Sequence, residues 1–336
     1  MEQSPLQPTP VGAFRFNTDS SKLEYYDGNQ WVNITSDSPQ VQTGGTRGLF
    51  AGGLTPSLVD TIEYINVDST GNAVDFGNLA STSRGIKGLA SRTRGVWCGG
   101  YEPGYPDRIQ FVTIASTGDT TDFGNLTIGA YLPTTFSNET RGIIAAMESS
   151  PLTNNNVIDY ITIASAGDAK DFGDLSSLLR VASGTASPTR GLIFSGYTAP
   201  AYVTEIKYLT ISTQGNSADF GDCTAGSGGN SVSNVVRAVH AIGYDGNPAH
   251  TNAIDYVTIA TLGDAKDFGD LTVARSEGGS CASSTRGVWA GGKTPSFQDV
   301  IDYVQIMTTG NAVDFGNVSA AREGVGGLSN GHGGLG

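Results

Sequence analysis

Cysteine is almost missing from this chain, and so are most other residues with ready chemistry. Only Cys98, Cys223 and Cys281 occur in 336 residues, with no CxxC pair and no zinc spacing. That argues against a disulfide framework or a zinc site and leaves three small core residues of a reducing compartment. His240, His250 and His332 are too scattered to suggest a metal or acid–base centre. Basic residues are scarce: 19 Lys and Arg face 32 Asp and Glu, a net charge of −13. A nucleic-acid binder needs a basic stripe, so none is expected here. No apolar run approaches the roughly 18 residues of a membrane span, and MEQSPLQPTP has neither a basic nor an apolar leader region. The expectation is a soluble chain that does not use the general secretory route. Helical periodicity is also lacking.

What is abundant is glycine, with 47 residues, together with Thr, Ser, Asn and Asp. They punctuate one recurring stretch, IDYVTIATLGDAKDFGDL at 254–271, with similar stretches beginning at Ile62, Ile109, Ile158, Ile206 and Ile301. Two β-rich runs around a Gly-Asp pair predict a tight hairpin. A TRG-like triplet precedes each copy, with Arg47, Arg94, Arg141, Arg190, Arg237 and Arg286 spaced 47, 47, 49, 47 and 49 residues apart. A period near 47 with about four short strands per unit is the pattern of propeller blades.

We assign strands a to d to each unit. Strand a is a small-residue run such as 86–90, strand b is GVWCGG, strand c is IDYVTIA, and strand d carries Asp-Phe-Gly. The Phe residues (Phe76, Phe123, Phe172, Phe220, Phe268 and Phe315) are expected to pack against the neighbouring unit. The chain begins its first unit at strand b and ends after a sixth strand a. The predicted fold is therefore all-β, a six-bladed propeller over 46–336 closed by the C-terminal strand. Residues 1–45 form a separate arm and a small β-meander, too small to be stable alone. Its aromatics Phe14, Phe16, Tyr25 and Trp31 are the candidate assembly anchor.

Length variation concentrates in the b–c loop after the double glycine. Its aromatics Tyr101, Tyr105, Tyr197, Tyr202, Tyr244 and Phe297 are the candidate partner-binding residues, because rigid amphipathic rings suit recognition. The hairpin tips carry Asp and Asn, such as Asp119 and Asp264, which suit either turns or a Ca²⁺ ion. The TRG arginine suits an anion site at the axis, or a place in the a–b turn where it pairs with a carboxylate or carbonyl of an adjacent strand. Asp-Phe-Gly lacks the phosphate loop and catalytic loop a kinase requires, and reads as a strand end with a turn glycine. No catalytic residue, metal site or cofactor is expected.

The double glycine followed by an aromatic-bearing strand resembles the kelch repeat, though its regular Tyr and Trp pair is absent. The unit TRGxWxGG…IxYVTIAxxGDAxDFGDL is similar to repeats in virion structural proteins of marine and cyanobacterial tailed phages. GAFRFNTDSSKLEYYDGNQWVNI is similar to small β-modules of phage fibre proteins. The resemblance implies a non-enzymatic, tail- or fibre-associated virion protein, made in the host cytoplasm. Its implied partners are other virion proteins, through the N-terminal module, and a host-surface glycan or protein. A homo-oligomer stays open. A capsid- or tail-decorating protein and a glycan depolymerase are the alternatives.

Overall fold

The computed structural model describes residues 9–17, 22–33, 46–150, 153–246 and 250–335. The chain divides into two compact units, Met1–Thr43 and Gly44–Gly336. Among the described residues both are all-β, with no α-helix.

Among the described residues the larger unit holds two two-stranded ribbons and six antiparallel sheets of four or five strands, one for each repeat. In the second, Lys87–Ala90, Arg94–Cys98, Arg108–Thr113 and Thr121–Asn125 lie side by side in chain order. The first sheet takes its strand a from the far end of the chain. Gly326–Ser329 pairs with Arg47–Ala51, with Gly326 opposite Ala51 and Ser329 opposite Gly48. The expected exchange of chain ends is therefore present in the pairing.

Small residues dominate strand a because these strands approach one another closely. A Cβ on Gly88 would lie 2.7 Å from the carbonyl oxygen of Gly327. Hydroxyls join neighbours instead: Thr135 Oγ1 donates to Gly88 O at 2.7 Å, and Ser329 Oγ donates to Ala282 O at 2.6 Å.

The repeat arginine binds a carbonyl, as one of the two readings required. Arg47 donates to Ile114 O, Arg94 to Ile163 O, Arg141 to Ile211 O, Arg190 to Ile259 O and Arg237 to Ile306 O. Each reaches the following sheet, and Arg286 of the sixth reaches Val67 O of the first at 3.2 Å. Each guanidinium also lies over the aromatic of its own strand c, for example Tyr256 at 4.2 Å.

The IDYVTIA–DFG stretch is not the tight hairpin its sequence predicts. Strands Thr61–Asn66 and Val74–Asn78 are joined by a longer loop that bonds locally, Ser69 N to Asn66 O at 3.1 Å, and also reaches another sheet. Gly71 N donates to Phe315 O at 2.8 Å, and Asn72 Oδ1 accepts from Asn317 N at 3.0 Å. The same pattern joins Gly118 N to Phe76 O and Asp119 Oδ1 to Asn78 N. The Asp and Asn tips are thus inter-sheet acceptors. Nor is Asp-Phe-Gly a turn. Ile62 faces Gly77 and Glu63 faces Asp75, so Phe76 is the extra residue of a β-bulge. Gly77, at φ 151°, is required because a Cβ there would meet Gly118 O at 2.3 Å.

The bulge turns Phe76 into the space between the first and second sheets. There it packs with Leu49, Ile62, Trp97, Val112 and Ile114. The ring meets Tyr64 edge-on at 6.0 Å, and five equivalent pairs repeat the contact. The middle residue of Ile-x-Tyr is buried too, against simple alternation of apolar and polar faces. Glu63, Gln110, Asp159, Asp255 and Asp302 accept from the N–H of the second residue past strand d of the preceding sheet, as Asp302 does from Thr272 N at 3.0 Å.

The smaller unit is a three-stranded meander of Phe14–Asn17, Lys22–Tyr26 and Trp31–Asn33. Phe14 lies opposite Tyr25 and Phe16 opposite Leu23, which puts these four on one face. That face is exposed, Phe14 by 67% and Phe16 by 62%. Trp31 does not share it, contrary to the sequence grouping. It pairs with Tyr26 and lies under Arg15, whose guanidinium is 4.2 Å from the ring, on the face where Glu24 binds Arg15. Alternation along two strands decides this, because Tyr25 and Tyr26 point to opposite sides.

Candidate functional site

The b–c loops and the d–a connections meet at one end of the six sheets. A backbone device repeated in five of them brings the two together. Beyond each a–b ladder, one residue of the d–a connection bridges one residue after the double-glycine position. The pairs are Arg84 with Tyr101, Tyr131 with Glu148, Arg180 with Tyr197, Ser276 with Lys293, and Glu323 with Leu54. The backbone is constant while the side chains change from repeat to repeat.

These variable side chains form a continuous belt. Tyr101, Tyr105 and Tyr131 meet edge-on with each pair of ring centroids 6.0 Å apart, and Arg84 lies over Tyr101 and Tyr131. Tyr105 donates to Glu148 Oε1 at 3.5 Å, and Glu148 is paired with Arg180. Arg180 lies 4.8 Å over Tyr197, which meets Tyr202 at 5.2 Å. Tyr202 meets Tyr244 at 5.6 Å, and Tyr244 meets His250 at 5.6 Å. In the other direction Arg84 binds Glu323 at 3.0 Å, and Glu323 binds Lys293 at 3.2 Å.

Five of the six loop aromatics expected from sequence therefore come together, in two groups joined by the Glu148–Arg180 pair. Phe297 does not join them; it sits opposite Lys293 in a two-stranded ribbon and makes no ring contact with a described residue. Sequence reasoning missed Arg84, Tyr131, Glu148, Arg180 and Glu323. Four of these occupy one register position, three residues before strand a, where the repeats differ. Aligning the d–a connections as closely as the b–c loops would have exposed them.

Burial tunes this end. Desolvation, reinforced by the Tyr244 hydroxyl, pushes the Tyr202 phenol up to about 12. Glu277 is pushed above the usual carboxylate range by burial and by the Glu323 charge.

A cavity of about 80 Å³ runs between the six strands a, with Lys87 at the belt end and His332 at the other. Ser183 and Ser231 line it and reach His240 Nδ1 at 3.0 and 3.1 Å, while Ser227 meets Nε2 at 2.9 Å. His240 is stacked on Phe194, and burial depresses its pKa, so it is a neutral, satisfied core histidine. Cys98, Cys223 and Cys281 are free and buried, their thiols held up by desolvation. Among the described residues no group of three or more His, Cys, Asp or Glu is placed to hold a metal ion, and no helix is long and apolar enough to cross a membrane.

His332 closes the far end. Its Nε2 donates to Ala90 O at 2.8 Å, and its Nδ1 accepts from Gly334 N at 3.2 Å. Burial lowers its pKa from 6.5 to about 4. Below pH 6.5 the unfolded chain takes up a proton that the folded chain refuses, so this group removes stability as pH falls toward 4. The expected loss by pH 4.5 is roughly 2–3 kcal/mol. Urea midpoints at pH 7 and pH 4.5 for the protein and for His332→Gln check this. The substitution should remove that share of the acid sensitivity, and equal losses in both would refute the assignment.

Fold and site together define an all-β repeat protein that displays variable side chains on an invariant frame. No protein-family model matches the chain, and no curated protein matches it.

Proposed function

We propose that the six sheets are the blades of a six-bladed, kelch-like propeller closed by the C-terminal strand. In this reading the chain is a non-enzymatic virion structural protein of the tail or fibre type. The belt end recognises a host surface, and the N-terminal meander attaches the chain to other virion proteins. The observation that carries the recognition role is the belt itself: clustered tyrosines and arginines at the end where the repeats differ, the residue types enriched at binding hot spots. Cyclic contacts such as Arg286 to Val67 support the propeller. The exposed Phe14, Phe16, Leu23 and Tyr25 support a docking role for the meander, because a sheet of this size needs a second layer over its apolar face.

Flow cytometry of the labelled full-length protein on a panel of marine cyanobacterial and bacterial isolates tests the reading. Saturable binding to some isolates is expected, weakened about tenfold or more by Tyr197→Ala with Tyr202→Ala, as for truncated hot-spot aromatics. Binding to isolated virions but to no cell would favour the decorating protein instead. Binding to cells that ignores the belt substitutions would remove the belt from the recognition role.

A further inference from the structure

At the belt end of the axial cavity one residue breaks two rules at once. The position just before strand a is left-handed in five sheets, and glycine meets that need at Gly85 and Gly324. Leu132, Val181 and Glu277 adopt the same backbone with side chains, Glu277 at φ 56°. The strain is held by neighbours: Gly324 N donates to Glu277 O at 2.7 Å, and Gly85 N donates to Gly324 O at 2.7 Å. Glycine at 277 would relieve it, so the carboxylate is retained against the local backbone preference.

The second departure is in the side chain. Glu277 Oε2 is buried and has no hydrogen-bond partner among the described residues. Buried carboxylate oxygens are normally satisfied, and an orphan oxygen calls for a missing donor. Gly85 O in turn accepts from Leu132 N at 3.0 Å, so Glu277 shares one chain of backbone hydrogen bonds with the residue after Tyr131, and its charge acts on the Tyr131 and Tyr202 phenols. The charges of Glu323, Arg84, Lys293 and Lys87 act on it. Lys87 Nζ donates to Asn230 Oδ1 at 3.0 Å and lines the cavity.

Charges of the two signs nearly balance here, which disfavours a strongly charged ligand. Donors and acceptors stand together beside flat aromatic rings, and the cavity behind is too small for more than an end group. A hydroxyl-rich, uncharged ring fits each of these features: its C–H face packs on tyrosine, and its hydroxyls both donate and accept. We infer that this mouth is a subsite for the terminal residue of a neutral saccharide, with Glu277 Oε2 accepting its hydroxyl hydrogens. The inference rests on the reading of the belt as an attachment surface and names its ligand class.

The test applies the full-length protein, Glu277→Gln and Glu277→Gly to an immobilised panel of neutral, uronic-acid-containing, amino-sugar and sulfated oligosaccharides. The best binder is then titrated by calorimetry. Binding to neutral members is expected, weakened about tenfold or more in both variants, as for loss of a charge-assisted hydrogen bond. Glu277→Gly should meanwhile melt no lower than the parent, since glycine suits the left-handed backbone. Three results would overturn the inference: no neutral member bound, both variants binding within about twofold of the parent, or reducing ends released from the bound saccharide. If the parent and Glu277→Gln stain cells equally, the attachment reading survives and this subsite fails. If no cell is stained and no saccharide binds, both fail together.

Discussion

A chain ending at Val325 is expected to lose its cooperative fold. Among the described residues, strand Gly326–Ser329 is the only strand paired with one edge of Arg47–Ala51, whose residues from Gly48 on are buried. Leu328 packs with Leu49, Phe76, Ile86 and Trp97 between the first and second sheets, and Trp97 Nε1 donates to Gly326 O at 3.2 Å. On the other side Ser329 Oγ accepts from Ala282 N at 3.1 Å. Removal would strip two sheet interfaces and leave a buried strand edge without hydrogen bonds, each unsatisfied group costing roughly 1–3 kcal/mol. That sum is comparable to the whole stability of a domain, about 5–15 kcal/mol. Urea unfolding followed by circular dichroism and tryptophan fluorescence is the measurement. A truncated chain that kept the parent's midpoint would contradict the closure. A synthetic 324–336 peptide should restore part of the transition.

The next largest effect is expected from Glu63→Ala. Glu63 and Arg322 are each 2% exposed and form an ion pair between the first sheet and the connection that follows the sixth. Glu63 also accepts from Ser319 N at 3.0 Å. Removing the carboxylate strands a buried guanidinium whose Nε already lacks a partner. Loss of one member of such a pair costs about 3–5 kcal/mol, whereas replacing both with apolar groups of similar size is often neutral. Glu63→Leu with Arg322→Met should therefore recover most of the stability lost by Glu63→Ala. The double-mutant cycle reads this directly. If the double variant were as unstable as the single, packing rather than charge would explain the loss. Arg275 and Asp302 form a similarly buried pair in the sixth repeat.

Much of the frame was legible because it repeats. Six copies of one spacing specify six copies of one sheet, and the missing strand a at the start pointed to the surplus one at the end. The arginine and the strand d phenylalanine could be picked out for the same reason, and the packing of the phenylalanine against the neighbouring unit was legible too, as Phe76 with Trp97 and Val112 shows; which carbonyl the arginine binds was not. Phe76 reaches the second sheet only because a bulge turns it there, and nothing in Asp-Phe-Gly distinguishes a bulge from a turn. The loop at the tip looked like a local hairpin, yet part of its hydrogen bonding reaches another sheet, more than forty residues away for Asp119 and Asn78.

The belt shows the same division. Tyr101 and Tyr197 stood out because their loops vary in length. Tyr131, Arg84 and Arg180 lie in connections of constant length, and only the cross-bridges to the b–c loops carry them to the same end. Trp31 and Phe297 were grouped by residue type and separated by strand alternation and ribbon pairing. By itself the sequence determined the strand order, the repeat count and the side chains that must be buried, because periodicity records which residues share a face. Only the tertiary structure decided which face meets which, and so linked Glu277, whose Oε2 has no partner among the described residues, through Gly324 and Gly85 to the residue after Tyr131. Contacts between repeats depend on how sheets pack, and a linear period holds no information about that.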